Sequence, residues 1–284
     1  MRVAYFGRRG SYAHLAATQR FGRSATYLSC PTHAQVIDAL LSRKSTAGVL
    51  PLENSVAGVV MDTIDVLVTP EFVRSDLRIR EYLEQAPNLA LLSNLPMKRI
   101  HRLYSHPYPL RYLAHWIQKH LPQVELFETV STSEAAQLAS EQLGSAAIAG
   151  PHAAGIYGLR VIRSRLARAR EYITRFCIVA SKPTTRRRPT HASLCFGLKH
   201  RPGALVKALS ILAAYRLNLT RILSRPLSQR TGKFNPHAYL FWVDVNLHTD
   251  PHVFVNALKE LKTVTTFLDV VGEHSISPAS RSAG

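Results

Sequence analysis

The sequence predicts an α/β protein: two α/β lobes around a cleft, followed by a small ferredoxin-like unit. Three observations predict it. Strand-like and helix-like segments alternate up to residue 180, a stretch rich in proline and arginine at 181–190 interrupts the pattern, and beyond it the order becomes β-α-β-β-α-β. A length of 284 residues suits two domains, or three small ones.

Residues 2–6 read as the first strand, and Gly7-Arg8-Arg9-Gly10-Ser11-Tyr12 as a tight loop into an alanine-rich helix, 13–21. A glycine-flanked loop between a strand and a helix N-terminus turns backbone N–H groups outward, toward a carboxylate or phosphate. Its spacing is not that of a P-loop or a dinucleotide fingerprint, which disfavours nucleotides. A second helix follows at 32–42 with Thr32 as its cap, then a short buried strand at 47–52. That strand runs into Glu53-Asn54-Ser55, with Gly58, Asp62, Thr63 and Asp65 beyond. Polar residues at the end of an apolar strand lie where α/β folds place ligands, and three together exceed what a helix cap needs.

Residues 78–92 read as a strand pair, with 89–92 a buried run. Pro107 and Pro109 open a helix through residue 120, and 125–130 looks like a strand. Ser131-Thr132-Ser133-Glu134 is a capping-box pattern that also suits an anion at a helix start. A strand at 146–149 and a short segment at 152–158 precede an arginine-laden run, 160–170. Then comes Tyr172-Ile173-Thr174-Arg175-Phe176, leading into the apolar run 176–180, a strand that returns to the first lobe. A hydroxyl beside a guanidinium at a strand edge pairs a hydrogen-bond donor with a carboxylate clamp: Thr174 for a leaving oxygen, Arg175 for the clamp.

The domain boundaries follow: 1–180 as the first domain, 181–190 as a linker, 191–273 as the second domain and 274–284 as a flexible tail. In the second domain, strands fall at 191–198, 219–223, 238–245 and 264–271, with helices at 202–214 and 251–261.

The 36 Lys and Arg against 18 Asp and Glu leave a net charge of +18. Nucleic acid is the first partner such a charge suggests. The arginines are scattered, however, with no basic helix, zinc-finger spacing or aromatic RNA-binding signature, so no nucleic-acid partner is expected. An anionic small substrate or an arginine-rich surface accounts for the charge as well. No apolar run approaches the roughly 18–20 residues that span a bilayer, and no membrane is expected. Cys30, Cys177 and Cys195 suit neither a disulfide framework nor a metal site, which points to a reducing cytoplasm.

In their order along almost the whole chain, these motifs resemble the prephenate dehydratase family with a C-terminal ACT regulatory domain. Gly7-x-x-Gly10-Ser11-Tyr12, Pro51-Leu52-Glu53-Asn54-Ser55-x-x-Gly58, Ser105-His106-Pro107, Ser131-Thr132-Ser133, Ala154-x-x-Tyr157-Gly158-Leu159 and Thr174-Arg175-Phe176 match its blocks. Arg201-Pro202-Gly203-Ala204-Leu205-Val206 and Asn218-Leu219-Thr220-Arg221-Ile222-Leu223-Ser224-Arg225-Pro226 resemble its phenylalanine-binding motifs. Each is modest alone; together and in order they are specific.

The resemblance implies a two-lobed, periplasmic-binding-protein-like catalytic domain and an ACT domain. It implies conversion of prephenate to phenylpyruvate, CO2 and water, with no cofactor and no metal, under feedback by L-phenylalanine. Thr174, Glu53, Asn54 and Ser55 are the expected catalytic set; Ser11, Ser105, Ser131, Arg175 and Phe176 the expected substrate contacts. Gly203, Ala204, Leu205, Val206, Asn218, Leu219, Leu223, Ser224, Arg225 and Pro226 are the expected effector contacts. A homodimer or homotetramer is implied, with the effector at the subunit interface. Some relatives carry a chorismate mutase bundle ahead of this domain; the dehydratase opening here begins at Arg2, leaving no room for one.

Five residues depart from the family pattern: Arg8 for Pro, His14 for Glu, Tyr112 for Gln, Tyr172 for Asn and Leu223 for Glu. The last puts phenylalanine regulation in question. Prephenate decarboxylation and the use of arogenate are the other enzymatic readings. Thr174 favours dehydration over decarboxylation, because only a departing hydroxyl needs its help. A catalytically degenerate amino-acid sensor is the reading of another class.

Overall fold

The first lobe forms around β1 (Arg2–Phe6), which pairs in parallel with β2 (Thr26–Cys30) on one side and β3 (Ala47–Asn54) on the other. The crossovers are α1 (Tyr12–Phe21) and α2 (His33–Leu41). Each starts at a side-chain cap: Ser11 Oγ accepts from the His14 amide, and Thr32 Oγ1 from that of Gln35. The chain is described from a computed structural model over residues 1–55, 57–86, 88–166, 173–227, 238–248 and 250–277.

The short β4 (Gly58–Val59) folds back on the end of β3, and α3 (Met61–Leu67) and α4 (Pro70–Arg74) follow. β5 (Arg78–Gln85) leaves this lobe, and the chain builds the second lobe before coming back. There, β6 (Ala90–Ser93), β7 (Arg102–Ser105), β8 (Glu125–Glu128), β9 (Ser145–Ala149) and β10 (Arg160–Arg163) form a sheet in the order β10-β6-β9-β7-β8. Its helices are α5 (Pro107–Tyr112), α6 (Ala114–His120), α7 (Thr132–Glu141) and α8 (His152–Tyr157). The returning strand, β11 (Thr174–Ala180), inserts antiparallel between β3 and β5.

Two expectations are corrected here. Residues 78–92 hold two strands, but they belong to different sheets, because the crossing between lobes falls between them. The expected helix 107–120 is two helices, broken at Leu113.

Strand alternation divides the first lobe into two cores. Val3, Tyr5, Val49, Phe176 and Ile178 pack with Ala13, Ala16 and Ala17 of α1. Ala4, Leu50, Leu52, Cys177 and Val179 face the opposite side, against α2, α3 and α4. Successive strand residues point to opposite faces, so this division follows from the pleat.

The second domain runs β12 (His191–Gly197), α9 (Ala204–Ala214), β13 (Leu219–Pro226), β14 (Tyr239–Asn246), α10 (Pro251–Val264) and β15 (Phe267–Ser277). Its strand order, β13-β14-β12-β15, is the ferredoxin-like arrangement. One face of this sheet packs on its own helices, with Leu194, Phe196, Val243 and Val245 in that core. The other face places Cys195, Leu240, Trp242 and Val271 against the first lobe.

The flexible tail expected from residue 274 is also corrected. β15 continues through Ser277, and Ser275–Ser277 pair in parallel with Glu81–Leu83 of β5. The sheets of the two domains thereby join into one of ten strands. The Ser- and Pro-containing composition of the segment says nothing of the open edge of β5, which supplies its hydrogen-bond partners. The rest of the expected tail, 278–284, lies outside the described residues.

A buried polar network sits at this seam. Ser193 Oγ donates to Asp244 Oδ1 at 2.7 Å and stands 3.0 Å from His274 Nε2. Trp242 Nε1 donates to Asp244 Oδ1 at 2.8 Å, and Tyr82 donates to Oδ2 at 3.2 Å. Arg221 meets the same carboxylate at 3.0 Å, countering its charge. Burial, assisted by His191 and the Arg221 and Arg175 guanidiniums, pushes the pKa of His274 down to about 3.

Two outcomes are expected from this seam. A Cβ at Gly272 would lie 2.2 Å from the Ile79 carbonyl oxygen. Gly272→Ala should therefore lower stability by about 1–3 kcal/mol, read as a lower urea midpoint. His274 titrates near 6.5 when unfolded and near 3 when folded, so acid favours the unfolded chain. Its contribution is complete above pH 6.5 and declines as the pH falls toward 3, by about 1.4 kcal/mol per pH unit. Urea titrations at pH 7 and pH 5 measure that slope, and His274→Leu should reduce it by about one proton.

Candidate active site

A cleft of about 400 Å³ separates the lobes. The first lobe contributes the β1–α1 turn, the end of β3 and the start of β11; the second contributes the starts of α5 and α7. Three larger hollows, of about 870, 590 and 430 Å³, lie elsewhere, so size does not single this one out. Its chemistry does: apolar walls from Val59, Val60, Pro109 and Phe176 surround a few polar groups.

The helix starts that the sequence marks as anion seats both face this cleft. Ser11 caps α1 from one lobe, and Ser131 caps α7 from the other, accepting from the Glu134 amide at 3.1 Å. Glu134 Oε2 in turn accepts from the Val130 amide at 3.0 Å, closing the capping motif. Two helix N-termini facing each other favour a ligand with separated negative charges.

Asn54 and Thr174 form the polar centre. They are register partners across β3 and β11, and Asn54 Nδ2 donates to Thr174 Oγ1 at 2.8 Å. The amide orientation is set by Asn54 Oδ1, which accepts from the Ala57 amide at 3.0 Å. Because the Thr174 oxygen accepts from Asn54, its own proton is left to donate elsewhere. Ser55 steadies the entry to β11: its Oγ accepts from the Ile173 amide at 2.9 Å, and its amide donates to the Ile173 carbonyl at 2.9 Å.

Other expected residues stand apart from this centre. Arg175 alternates to the opposite face, where it meets Glu53 at 3.3 Å and Glu84 at 2.5 Å. It is engaged by two carboxylates of its own chain and does not line the cleft. Glu53 shares that face, bound by Arg175 and Arg221. Ser105 is fully buried and donates to the Ile148 carbonyl at 2.7 Å. Phe176 does line the cleft, as an apolar wall.

The cleft also holds residues that sequence reasoning missed. His33 follows the Thr32 cap and stacks on Phe6 with ring centroids 4.0 Å apart. His106 caps α5, accepting from the Tyr108 amide at 3.3 Å. Burial lowers the pKa of both imidazoles, which favours the neutral form. The Ser-His-Pro triplet was the available signal for His106; His33 had none beyond its place at a helix start.

The β1–α1 loop closes the lobes on each other. Tyr157 donates to the Arg9 carbonyl at 2.8 Å, and His152 Nε2 lies 2.9 Å from the Gly10 carbonyl oxygen. Gly10 has φ +85°, and a Cβ there would come within 3.2 Å of Tyr157.

Most departures from the family pattern find a structural role. Arg8 donates to Gln137 of α7 at 2.8 Å, across the cleft. His14 Nδ1 accepts from the Gly10 amide at 3.2 Å, holding the loop's turn. Tyr112 packs beside the second-lobe core. Leu223 packs on the apolar seam between the domains, where a carboxylate would have been desolvated. Tyr172 lies outside the described residues.

The expected effector residues are dispersed. Ala204 and Leu205 line a hollow of about 130 Å³ at the start of α9, preceded by Gly203 and followed by Val206. Asn218 and Leu219 lie past the far end of that helix, about 15 Å away at 1.5 Å per residue. Leu223 and Arg225 face the catalytic lobe instead, and Arg225 Nε donates to Asp65 at 2.9 Å. Ser224 and Pro226 alternate to the exposed face of β13.

Comparison with known proteins agrees with this geometry. Residues 3–184 match the family model described as prephenate dehydratase. A bifunctional chorismate mutase/prephenate dehydratase of Aquifex aeolicus is 34% identical over 275 residues, covering 96% of this chain and 73% of that protein. The structure of a prephenate dehydratase from Arthrobacter aurescens, in complex with L-phenylalanine, superposes with a TM-score of 0.85 at 25% identity, covering 97% of this chain and 90% of that one. A structure described as GqqA, a novel type of quorum-quenching acylase, gives 0.83 at 30% identity, covering 99% and 98%. The chain belongs to the prephenate dehydratase family.

Proposed function

We infer that this protein is a prephenate dehydratase, a carbon–oxygen lyase that turns prephenate into phenylpyruvate, CO2 and water. The observation that carries this reading is the 2.8 Å contact from Asn54 to Thr174 on the cleft wall. As the carboxylate leaves as CO2, the electrons of its C–C bond enter the ring. The ring becomes aromatic as the C4–oxygen bond breaks, and the departing oxygen takes up a proton to leave as water. Thr174 donates to that oxygen and recovers its proton from solvent. An ordinary threonine is a weak acid, so its contribution is a hydrogen bond already aimed at the developing charge.

The helix starts at Ser11 and Ser131 hold the two carboxylates, and the apolar walls exclude water from the ring. Acylase chemistry at Thr174 would need a base to remove its proton. Its 2.8 Å partner is an amide donor, which favours giving that proton over losing it.

L-Phenylalanine acts as effector through the ACT domain; the hollow at the start of α9 supports this. A homodimer or homotetramer is supported by β13, an edge strand with Ile222 45% exposed. A cytoplasmic location fits three free, buried cysteines. Among the described residues, no helix is long and apolar enough to cross a membrane.

Purified protein given prephenate should release phenylpyruvate, and L-phenylalanine should suppress it. Activity without suppression would mean that the effector site has been lost. Activity with arogenate alone would move the substrate to that amino acid, and silence with both would favour a sensor. Thr174→Val should lower kcat roughly 10²-fold or more while leaving the urea midpoint unchanged. Arg175→Gln should do the reverse, lowering the midpoint with KM little altered. Full activity in Thr174→Val would remove Thr174 from the mechanism.

A further inference from the structure

The pairing of β15 with β5 leaves a separate hollow of about 590 Å³ at the joint between the domains. It is lined by Arg78 and Arg80 of β5, by the linker residues 183–189, and by one side of β15. Five of the lining residues are arginines: Arg78, Arg80, Arg186, Arg187 and Arg188. Glu273 is the one acidic residue among them, so the hollow has a formal excess of four positive charges.

The family reaction does not account for this concentration of charge, since the active cleft lies elsewhere. Among the described residues, none of these five arginines forms an ion pair with a carboxylate. Two of them are fixed by the main chain. Arg78 donates to the carbonyls of Ser75 at 2.8 Å and Leu77 at 2.6 Å; Arg80 donates to those of Ala180 at 3.2 Å and Ser181 at 2.5 Å. These bonds orient the guanidiniums without neutralising either. Burial, and after it the neighbouring Arg78, press the pKa of Arg80 down, and the nearby Glu273 and Asp76 carboxylates partly oppose them.

Two hydroxyls at the same place are also unsatisfied. Ser275, only 3% exposed, and Thr184 both line the hollow, and neither hydroxyl has a hydrogen-bond partner among the described residues. A buried polar group without a partner is uncommon and calls for one.

We propose that this hollow binds an oligophosphate, either an inorganic chain or the triphosphate of a nucleotide. Guanidinium forks match phosphate oxygens two at a time, and several phosphates in a row carry charge comparable to the excess in the hollow. Its volume lies in the range of small-ligand clefts. No aromatic side chain lines it, so it lacks the stacking platform used to hold single-stranded nucleic acid. A bound oligophosphate would bridge the linker, β5 and β15, tightening the joint between the domains.

Calorimetric titration of the full chain with sodium tripolyphosphate at low ionic strength tests the assignment. The expected result is saturable binding of one anion per chain, weakening with added salt. The triple variant R186A/R187A/R188A should bind at least tenfold more weakly, and Glu273→Gln a few-fold more tightly. ATP binding equal to tripolyphosphate would identify the phosphate chain as the recognised part; tighter ATP binding would identify a nucleotide as the source. Unchanged affinity in both variants, or binding that does not saturate, would overturn the site. Tighter binding of a single-stranded RNA oligonucleotide, lost in the triple variant, would overturn it too and make the patch a nucleic-acid surface.

Discussion

The structure depends on β11 inserting between β3 and β5. This one strand closes the first lobe after the chain has built the second, so it fixes the two lobes on either side of a cleft. It also decides, through the pleat, which side chains face the cleft. Thr174 and Phe176 turn toward the cleft, whereas Arg175 between them turns away. A slip of one residue in register would exchange the hydroxyl for the guanidinium on the cleft wall.

The face of β11 away from the cleft connects to the second domain. Arg175 and Arg221 share Glu53, and Arg221 also meets Asp244 in the sheet of the second domain. Glu53 is the neighbour of Asn54, so the strand that orients the Asn54 amide is tied by its next side chain to the sheet of the second domain. Only the Arg221–Asp244 pair is buried at both ends among these, and removing one member of such a pair generally costs about 3–5 kcal/mol, because its partner remains desolvated. The continuous sheet made by β15 and β5 adds a main-chain connection to this side-chain one. Both connections run through strands adjacent to β11, which gives the domains a short mechanical path to the active site.

Part of the site was legible because its signals are local. Thr32 and Ser131 were readable as caps, since a cap depends on backbone only a few residues away. Asn54 and Thr174 stood out as polar groups at the ends of apolar strands. Arg175 and Glu53 were read as cleft residues from the same motifs, and the structure turns both toward carboxylate and guanidinium partners on the other face. The choice of face depends on register across the sheet, and β3 and β11 pair with a shift between Arg175 and Phe176. Ser105 differs: its motif marks the end of a strand, and the carbonyl that takes its proton belongs to Ile148, far along the chain.

By itself, the sequence determined the order of strands and helices, the βαββαβ pattern of the second domain, the helix starts and the family. These rest on periodicity and short-range hydrogen bonding, which neighbouring residues set for themselves. Only the tertiary structure decided that Arg175 and Arg225 would bind carboxylates of their own chain, that Leu223 would sit in an apolar seam, and that residues 275–277 would extend a strand. Each of those outcomes is a pairing between segments distant in the chain. A side chain's charge or composition states what kind of partner it can accept, and only the approach of another element determines which partner it meets.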